Sequence, residues 1–314
     1  MSAARGKSKA VTAASPITAA ALLPVAVLTL IWGCNWPILK MGVTEIAPLT
    51  FRALTLPFAA VGMLAVAHWS GNSVRIPRAL WGKVAALALF NIAFWNGLIL
   101  FGVQQLPAGR SAILAYTMPI WAVLFSLALL SEPLGWRRIA GMALGMLGMA
   151  LLLRDDIRNF QRTPTAALLI LGAAIGWALG TVLLRKWKMP IAQNTLSGWM
   201  MLLGWIPIAL LAPMFATEPL AMPSGRAWFA ILYNIFLAGT LAHWAWFTLA
   251  RTLPAAVSSM ASLPVPVVGV FAGMLMLGER PGASEWVALL LVVAAMVAVL
   301  WSPKPVPAPM APDD

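Results

Sequence analysis

One stretch of the sequence occurs twice, and this repeat limits the folds open to the chain more than any other feature. Residues 106–132 return, without a gap, as residues 253–279. Equivalent positions keep a constant separation, so that Pro119 in the first copy corresponds to Pro266 in the second. A repeat this long predicts two structurally related halves and not a soluble array of short units.

The composition predicts that both halves lie in a membrane. Of the 314 residues, 61% are hydrophobic and 10% are charged, whereas soluble domains carry about 25% charge. The apolar runs are close to the roughly 20 residues that a helix needs to cross a bilayer. Two related halves built from apolar helices are typical of transporters.

We predict an all-α integral membrane protein with ten transmembrane helices. The predicted parts are a cytoplasmic tail at 1–18, a first five-helix repeat at 19–153, a polar linker at 154–164, a second five-helix repeat at 165–301 and a disordered tail at 302–314. Because five crossings is an odd number, the second half enters the membrane from the opposite side. The two halves are therefore predicted to be inverted repeats.

The distribution of charged residues bears on the partners of the chain and on its orientation in the membrane. The 21 Lys and Arg residues form short clusters between apolar runs, which argues against nucleic acid as a partner. Most of them fall on one side if the N-terminus is inside, so both termini are predicted to be cytoplasmic. This count places Arg52 at the outer end of the second span.

No catalytic, cofactor or metal site is indicated. The lone Cys34 excludes an intrachain disulfide and a cysteine metal cluster. The two histidines are far apart and have no acidic neighbour, which predicts no metal. The chain has no phosphate-binding loop, so ATP is not the expected energy source.

Several segments resemble the EamA-type drug/metabolite transporters. They are IWGCNWPILKMGV at 31–43, PLTFRAL at 48–54, the repeated stretch, and GWALGTVLLRK at 176–186. Within this superfamily the chain is most similar to bacterial amino-acid exporters of the YddG type. The resemblance implies a ten-helix inverted-repeat fold, a central cavity shared by both halves, and export of small metabolites across the inner membrane.

The positions of the acidic residues bear on the substrate. All Asp and Glu residues fall at span ends, in loops or in tails. Exporters of lipophilic cations commonly need a buried carboxylate, and an intramembrane carboxylate is usually functional. A neutral or zwitterionic metabolite is therefore favoured. His243 is the mid-span residue that titrates near neutral pH and is the candidate for proton coupling, although facilitated transport is equally open.

Polar and aromatic side chains inside the spans predict a substrate cavity near the bilayer midplane. Asn96 corresponds to His243 under the repeat offset, and Asn91 and Trp95 are spaced to share one face of an α-helix. The predicted cavity residues are Asn35, Asn91, Trp95, Asn96, Tyr116, Trp177, His243 and Ser258. The alternative is that each polar group joins two helices by a hydrogen bond worth about 1 kcal/mol.

Other features concern packing and movement. Pro119 and Pro266 lie inside the fourth and ninth predicted spans and are expected to kink or hinge them. Glu132 and Glu279 are expected to form interfacial ion pairs with nearby arginines. Small residues at 141, 145 and 148 permit close helix contact, within the monomer or at a dimer seam.

Together these patterns predict a multi-pass transporter of the bacterial inner membrane that exports amino acids with aromatic or other apolar side chains. Transport would occur by alternating access around the central cavity. The partners would be the small-molecule substrate and the lipid bilayer, with the chain acting as a monomer or homodimer. The alternatives are a multidrug or other metabolite exporter of the same fold, and a channel or integral-membrane enzyme.

Overall fold

The fold is known from a computed structural model that describes residues 19–131, 135–158, 164–216, 222–246 and 262–300. Within these ranges the secondary structure is helical, and no strand occurs. The helices are α1 (Ala19–Glu45), α2 (Pro48–Trp69), α3 (Arg78–Gln105), α4 (Ala108–Leu130), α5 (Trp136–Arg158), α6 (Pro164–Trp187), α7 (Gln193–Phe215), α8 (Gly225–Trp246), α9 (Val265–Leu277) and α10 (Ala283–Leu300).

Eight of these helices, α1 to α8, are long and apolar enough to cross a membrane, and α9 and α10 are shorter apolar helices. Large apolar side chains cover the outside: Leu210 is 73% exposed and Leu275 86%. A water-soluble protein does not tolerate so much apolar surface. Trp69 and Trp136 are also exposed at helix ends, where interfacial anchors are expected. The prediction of an all-helical, multi-pass membrane protein is confirmed.

The two halves pack against each other in matched pairs of helices. The first helix of each half packs on the fourth helix of the other half: α1 packs on α9, and α6 packs on α4. The third helix of each half packs on the first helix of the other half: α3 packs on α6, and α8 packs on α1. The two remaining equivalent pairs, α2 with α7 and α5 with α10, pack directly on each other. These contacts between the halves are thus preserved when the halves are exchanged.

Small residues allow α5 and α10 to approach closely. A Cβ atom at Gly141 would lie 2.9 Å from the carbonyl oxygen of Ala295, and one at Gly148 would lie 3.3 Å from that of Ala288. Such contacts are typical of helix pairs in membranes. The small residues of α5 are therefore used within the chain.

Three helices depart from regular α-helical geometry near their middle. α3 contains a π-helical segment at Leu89–Phe94, and α8 contains one at Tyr233–Leu241. α4 is interrupted at Tyr116 and Thr117, and resumes at Met118. The sequence predicted a single kinked span here. The break comes before Pro119 because a proline in the first turn of a helix loses no intrahelical hydrogen bond.

Pro266 occupies the same place in the second half. It lies in the first turn of α9, where its missing N–H is again harmless. Residues 255–261 of the same predicted span, which include Ser258, lie outside the described residues.

Glu279 has a different partner from the one predicted. Its two carboxylate oxygens accept hydrogen bonds from the backbone N–H groups of Ala108, at 2.5 Å, and Gly109, at 3.0 Å. The carboxylate thus caps the N-terminus of α4, where unpaired N–H groups and the helix dipole favour an anion. This cap links the end of α9 to the first half. Glu132 lies outside the described residues.

A buried ion pair joins three helices beside this cap. Arg110 of α4 donates from Nη1 to Glu285 of α10 at 3.0 Å and from Nη2 to the carbonyl oxygen of Leu152 in α5. The Arg110 side chain is only 1% exposed. The contact links α4 and α5 of the first half to α10 of the second half.

Helix α5 extends into the predicted linker. α5 continues to Arg158, and α6 begins at Pro164, whereas the linker was predicted to occupy residues 154–164. Arg154 and its neighbours continue the helix because nothing in their sequence breaks it.

Candidate functional site: a central cavity

A cavity of about 170 Å³ lies inside the bundle, between the two halves. Side chains of α1, α2, α3, α4, α6, α7 and α8 line it. The structure brings six of the predicted site residues together there: Asn35, Trp95, Asn96, Tyr116, Trp177 and His243. The prediction that these residues share one cavity is therefore consistent with their positions.

Two predicted residues are not in this set. Ser258 lies outside the described residues. Asn91 is buried between α3 and α6, where its Oδ1 atom occupies the space that a Cβ atom at Gly180 would need. The α-helical spacing that grouped Asn91 with Trp95 does not apply, because a π-helical segment changes the number of residues per turn. Asn91 consequently packs between helices while Trp95 lines the cavity.

The two π-helical segments are related by the repeat. Under the repeat offset, Phe94 corresponds to Leu241, so both segments end at equivalent positions. Two residues later come Asn96 and His243. Such π segments occur frequently at functional sites. In this protein each π segment is followed by one of the two equivalent polar residues, Asn96 and His243, and both residues line the cavity.

Both polar side chains bond back to the π segment that precedes them. Asn96 donates from Nδ2 to the carbonyl oxygen of Ile92 at 2.8 Å, and His243 Nδ1 lies 2.9 Å from the carbonyl oxygen of Ala238. Because a carbonyl oxygen only accepts, His243 Nδ1 carries the hydrogen, and Nε2 of the neutral ring is an acceptor. These bonds fix the two side chains at the cavity wall.

Two aromatic pairs contribute to the cavity lining. Trp95 and Trp177 pack with ring centroids 5.0 Å apart. Trp32 contacts His243 edge to face at 5.5 Å. Trp32 also donates from Nε1 to the carbonyl oxygen of Ala238 at 3.4 Å. The cavity is therefore mainly apolar with a few fixed polar groups, the usual character of a small-molecule site.

Arg52 of α2 is a charged cavity residue that was not predicted from the sequence. It is 8% exposed, lines the cavity, and donates from Nη1 to Oδ1 of Asn234 at 3.0 Å. Asn234 in turn donates from Nδ2 to the carbonyl oxygen of Ala230 at 2.9 Å. Among the residues that the structure describes, none forms an ion pair with Arg52.

The signal for Arg52 was present in the sequence. The charge count assigned it to the outer surface, but the predicted second span, starting at Pro48, already included it. An arginine inside an apolar span is by default a functional residue. Its burial therefore corrects the assignment to the outer end of the span.

Arg52 gives the described part of the cavity a positive charge, and no negatively charged side chain balances it there. Its lining contains no aspartate or glutamate among the described residues. The described residues also contain no group of three or more His, Cys, Asp and Glu side chains that could hold a metal. The arrangement is suited to holding a small molecule by its shape and charge.

Apolar helices around an internal, sparsely polar cavity define a multi-pass membrane transporter of small molecules. The comparison with known proteins then gives the family. The chain belongs to the EamA-like transporter family, which matches residues 18–154 and again residues 164–301. The resemblance to EamA-type transporters found in the sequence is confirmed.

Several relatives extend over most of the chain. The "Uncharacterized inner membrane transporter YedA" of Escherichia coli (strain K12) is 29% identical over 91% of this chain and 94% of its own length. The "Uncharacterized transporter YoaV" of Bacillus subtilis (strain 168) is 25% identical over 82% and 89%. The "Probable amino-acid metabolite efflux pump" of Escherichia coli (strain K12) is 23% identical over 86% and 91%.

The fold is also found in a solved crystal structure. That structure aligns with a TM-score of 0.66, covering 89% of this chain and 95% of its own, at 20% sequence identity. At this identity the likeness concerns the fold. The helix arrangement is thus shared with an experimentally determined protein.

Proposed function

We propose that the protein exports amino acids with aromatic or other apolar side chains across the bacterial inner membrane. The observation that supports this most is the cavity itself, with tryptophan walls at Trp32, Trp95 and Trp177 and a buried cation at Arg52. An apolar side chain fits the walls, and a charged backbone group fits the polar positions. The name of one relative, a probable amino-acid metabolite efflux pump, supports the same substrate class.

The proposed mechanism is alternating access by two inverted five-helix repeats, residues 19–153 and 165–301, joined by a linker. The exchangeable helix contacts support a pseudo-two-fold relation between the halves. The interrupted α4 and the π segments of α3 and α8 supply backbone that can adjust at the cavity. Pro119 and Pro266 mark the proposed hinges, and His243 would carry the proton in a coupled cycle.

Both termini are proposed to be cytoplasmic, following the excess of Lys and Arg on that side. The small residues of α5 are used inside the chain, which favours a monomer over a dimer that would need them. A multidrug exporter of the same fold is less well supported. The described cavity lining holds no carboxylate for a cationic drug.

Cysteine labelling tests whether the cavity is the substrate site. In a Cys34→Ala background, Asn96→Cys and His243→Cys are expected to react with a small polar thiol reagent, and phenylalanine is expected to slow this reaction at least about tenfold at saturation. Water reaches a transport cavity, and bound substrate covers both positions. The rate of labelling is measured in proteoliposomes.

Leu89 and Phe236 provide a matched control pair. They occupy equivalent positions of the two halves, lie in α3 and α8, and are exposed on the outside of the bundle. Cysteines there face lipid and are expected to stay unlabelled with or without phenylalanine. Labelling at Leu89 and Phe236 but not at Asn96 and His243 would contradict the proposal.

A further inference from the structure

Two residues that line the cavity each carry a buried polar atom without a hydrogen-bond partner, and the two atoms are of opposite hydrogen-bonding type. Nε of Arg52 is a donor without an acceptor, and Oδ1 of Asn35 is an acceptor without a donor. Both residues line the cavity. Buried polar atoms nearly always have a partner, so an unpaired donor and an unpaired acceptor on two cavity-lining residues are the natural candidates for hydrogen bonds to a ligand.

Building on the transport function proposed above, we propose that the cavity recognises the zwitterionic end of an α-amino acid. Arg52 binds the carboxylate, and the amide oxygen of Asn35 accepts a hydrogen bond from the ammonium group. The same arrangement rejects organic cations.

The guanidinium of Arg52 is held ready for a carboxylate. Asn234 accepts one of its five N–H groups, at Nη1, and is itself fixed by its bond to Ala230. Asn234 is thus a positioning residue. A planar guanidinium binds a carboxylate through two parallel N–H···O bonds, and Nε is one of the donors that remain.

Arg52 has no counter-ion among the residues that the structure describes. Transfer of an unpaired charge into an apolar interior is strongly unfavourable, and intramembrane arginines normally pair with an anion. No aspartate or glutamate lines the described part of the cavity. A substrate carboxylate supplies the anion that the described residues lack.

The ammonium side is assigned to α1. Asn35 and Trp32 are three residues apart on this helix, so they are neighbours on its surface. The amide oxygen accepts an N–H bond, and the face of an indole ring attracts a cation. An amine without a carboxylate would bring its charge near Arg52 with nothing to neutralise it, and like charges repel strongly in a low-dielectric site.

Competition against the wild-type protein tests the charge selectivity. Uptake of labelled phenylalanine into proteoliposomes is measured with excess unlabelled 3-phenylpropionate, which lacks the ammonium group, or phenethylamine, which lacks the carboxylate. We expect inhibition by 3-phenylpropionate and at least about tenfold weaker inhibition by phenethylamine, the ratio that one charge-assisted interaction supplies. Stronger inhibition by phenethylamine would overturn the inference.

Substitution assigns the two groups to their residues. Arg52→Gln is expected to raise the KM for phenylalanine at least about tenfold and to remove inhibition by 3-phenylpropionate, while Arg52→Lys keeps part of it. Asn35→Leu is expected to weaken phenylalanine binding but not 3-phenylpropionate binding. Arg226→Gln is the matched control, since Arg226 is exposed at the start of α8, and is expected to behave as wild type.

The outcomes separate this inference from the function on which it rests. If wild-type protein takes up no amino acid, the proposed function is wrong. If wild-type uptake is normal and a correctly folded Arg52→Gln protein, judged by size-exclusion chromatography, keeps the same KM and inhibitor profile, only the role of Arg52 is wrong. If that variant does not fold, the wild-type competition and Arg52→Lys decide.

Discussion

Replacing Arg110 with methionine is expected to destabilise the protein by about 3–5 kcal/mol, the usual effect of breaking a buried ion pair by removing one partner. Arg110 is almost fully buried and bonds Glu285 and the backbone of Leu152. Its loss leaves the Glu285 carboxylate, itself only 14% exposed, without this cation. We expect a large fall in melting temperature in detergent, measured by loss of the monodisperse chromatographic peak after heating.

A second substitution separates the isolated charge from the lost packing. The double variant Arg110→Met with Glu285→Gln removes both charges and is expected to recover part of the lost stability. Arg78→Met is the control at an exposed arginine, where surface charges contribute about 0–1 kcal/mol. A melting temperature equal to wild type for Arg110→Met would show that this ion pair does not hold the bundle together.

Replacing Gly33 with alanine is expected to separate α1 from α9 and to impair both stability and transport. A Cβ atom at this position would lie 2.4 Å from Cγ1 and 2.5 Å from Cβ of Val268. A β-branched side chain cannot rotate its Cβ away, so the helices must move. Overpacking of this kind usually destabilises by about 1–3 kcal/mol. Trp32 comes directly before Gly33 in α1 and Asn35 two residues after it, so both cavity residues would shift.

Gly97 offers a matched control in α3. A Cβ atom at Gly97 meets nothing within 4 Å, so Gly97→Ala is expected to be neutral or slightly stabilising because alanine favours helix by about 1 kcal/mol. Melting temperature and phenylalanine uptake are measured for both variants. Equal behaviour of Gly33→Ala and Gly97→Ala would contradict the close α1–α9 contact.

Much of the fold could be predicted because its physical cause is regular. Long apolar runs require helices in a bilayer, and the duplicated segment revealed two related halves. The interruptions were harder to place. Pro119 predicted a kink inside the fourth span, but the break falls at Tyr116 and Thr117, because proline is tolerated in the first turn of a new helix. No sequence signal announced the π segments.

The site was also predicted only in part, because some of its residues follow a regular pattern in the sequence and others do not. The repeat offset paired Asn96 with His243, and both residues line the cavity. Asn91 was grouped with Trp95 by α-helical spacing, which the π segment at Leu89–Phe94 invalidates. Arg52 was overlooked because a count of charges at span ends treats every arginine as a surface group. Which charge faces inward depends on packing of α2 against α7 and α8, which no local pattern contains.

The most direct test of the central claim is uptake of a panel of labelled amino acids into proteoliposomes, with and without an imposed pH gradient. The account predicts saturable uptake of aromatic and other apolar amino acids, and the effect of the gradient separates coupled from facilitated transport. No uptake of any amino acid, together with transport of a drug or a nucleotide derivative, would leave the fold intact and contradict the proposed substrate.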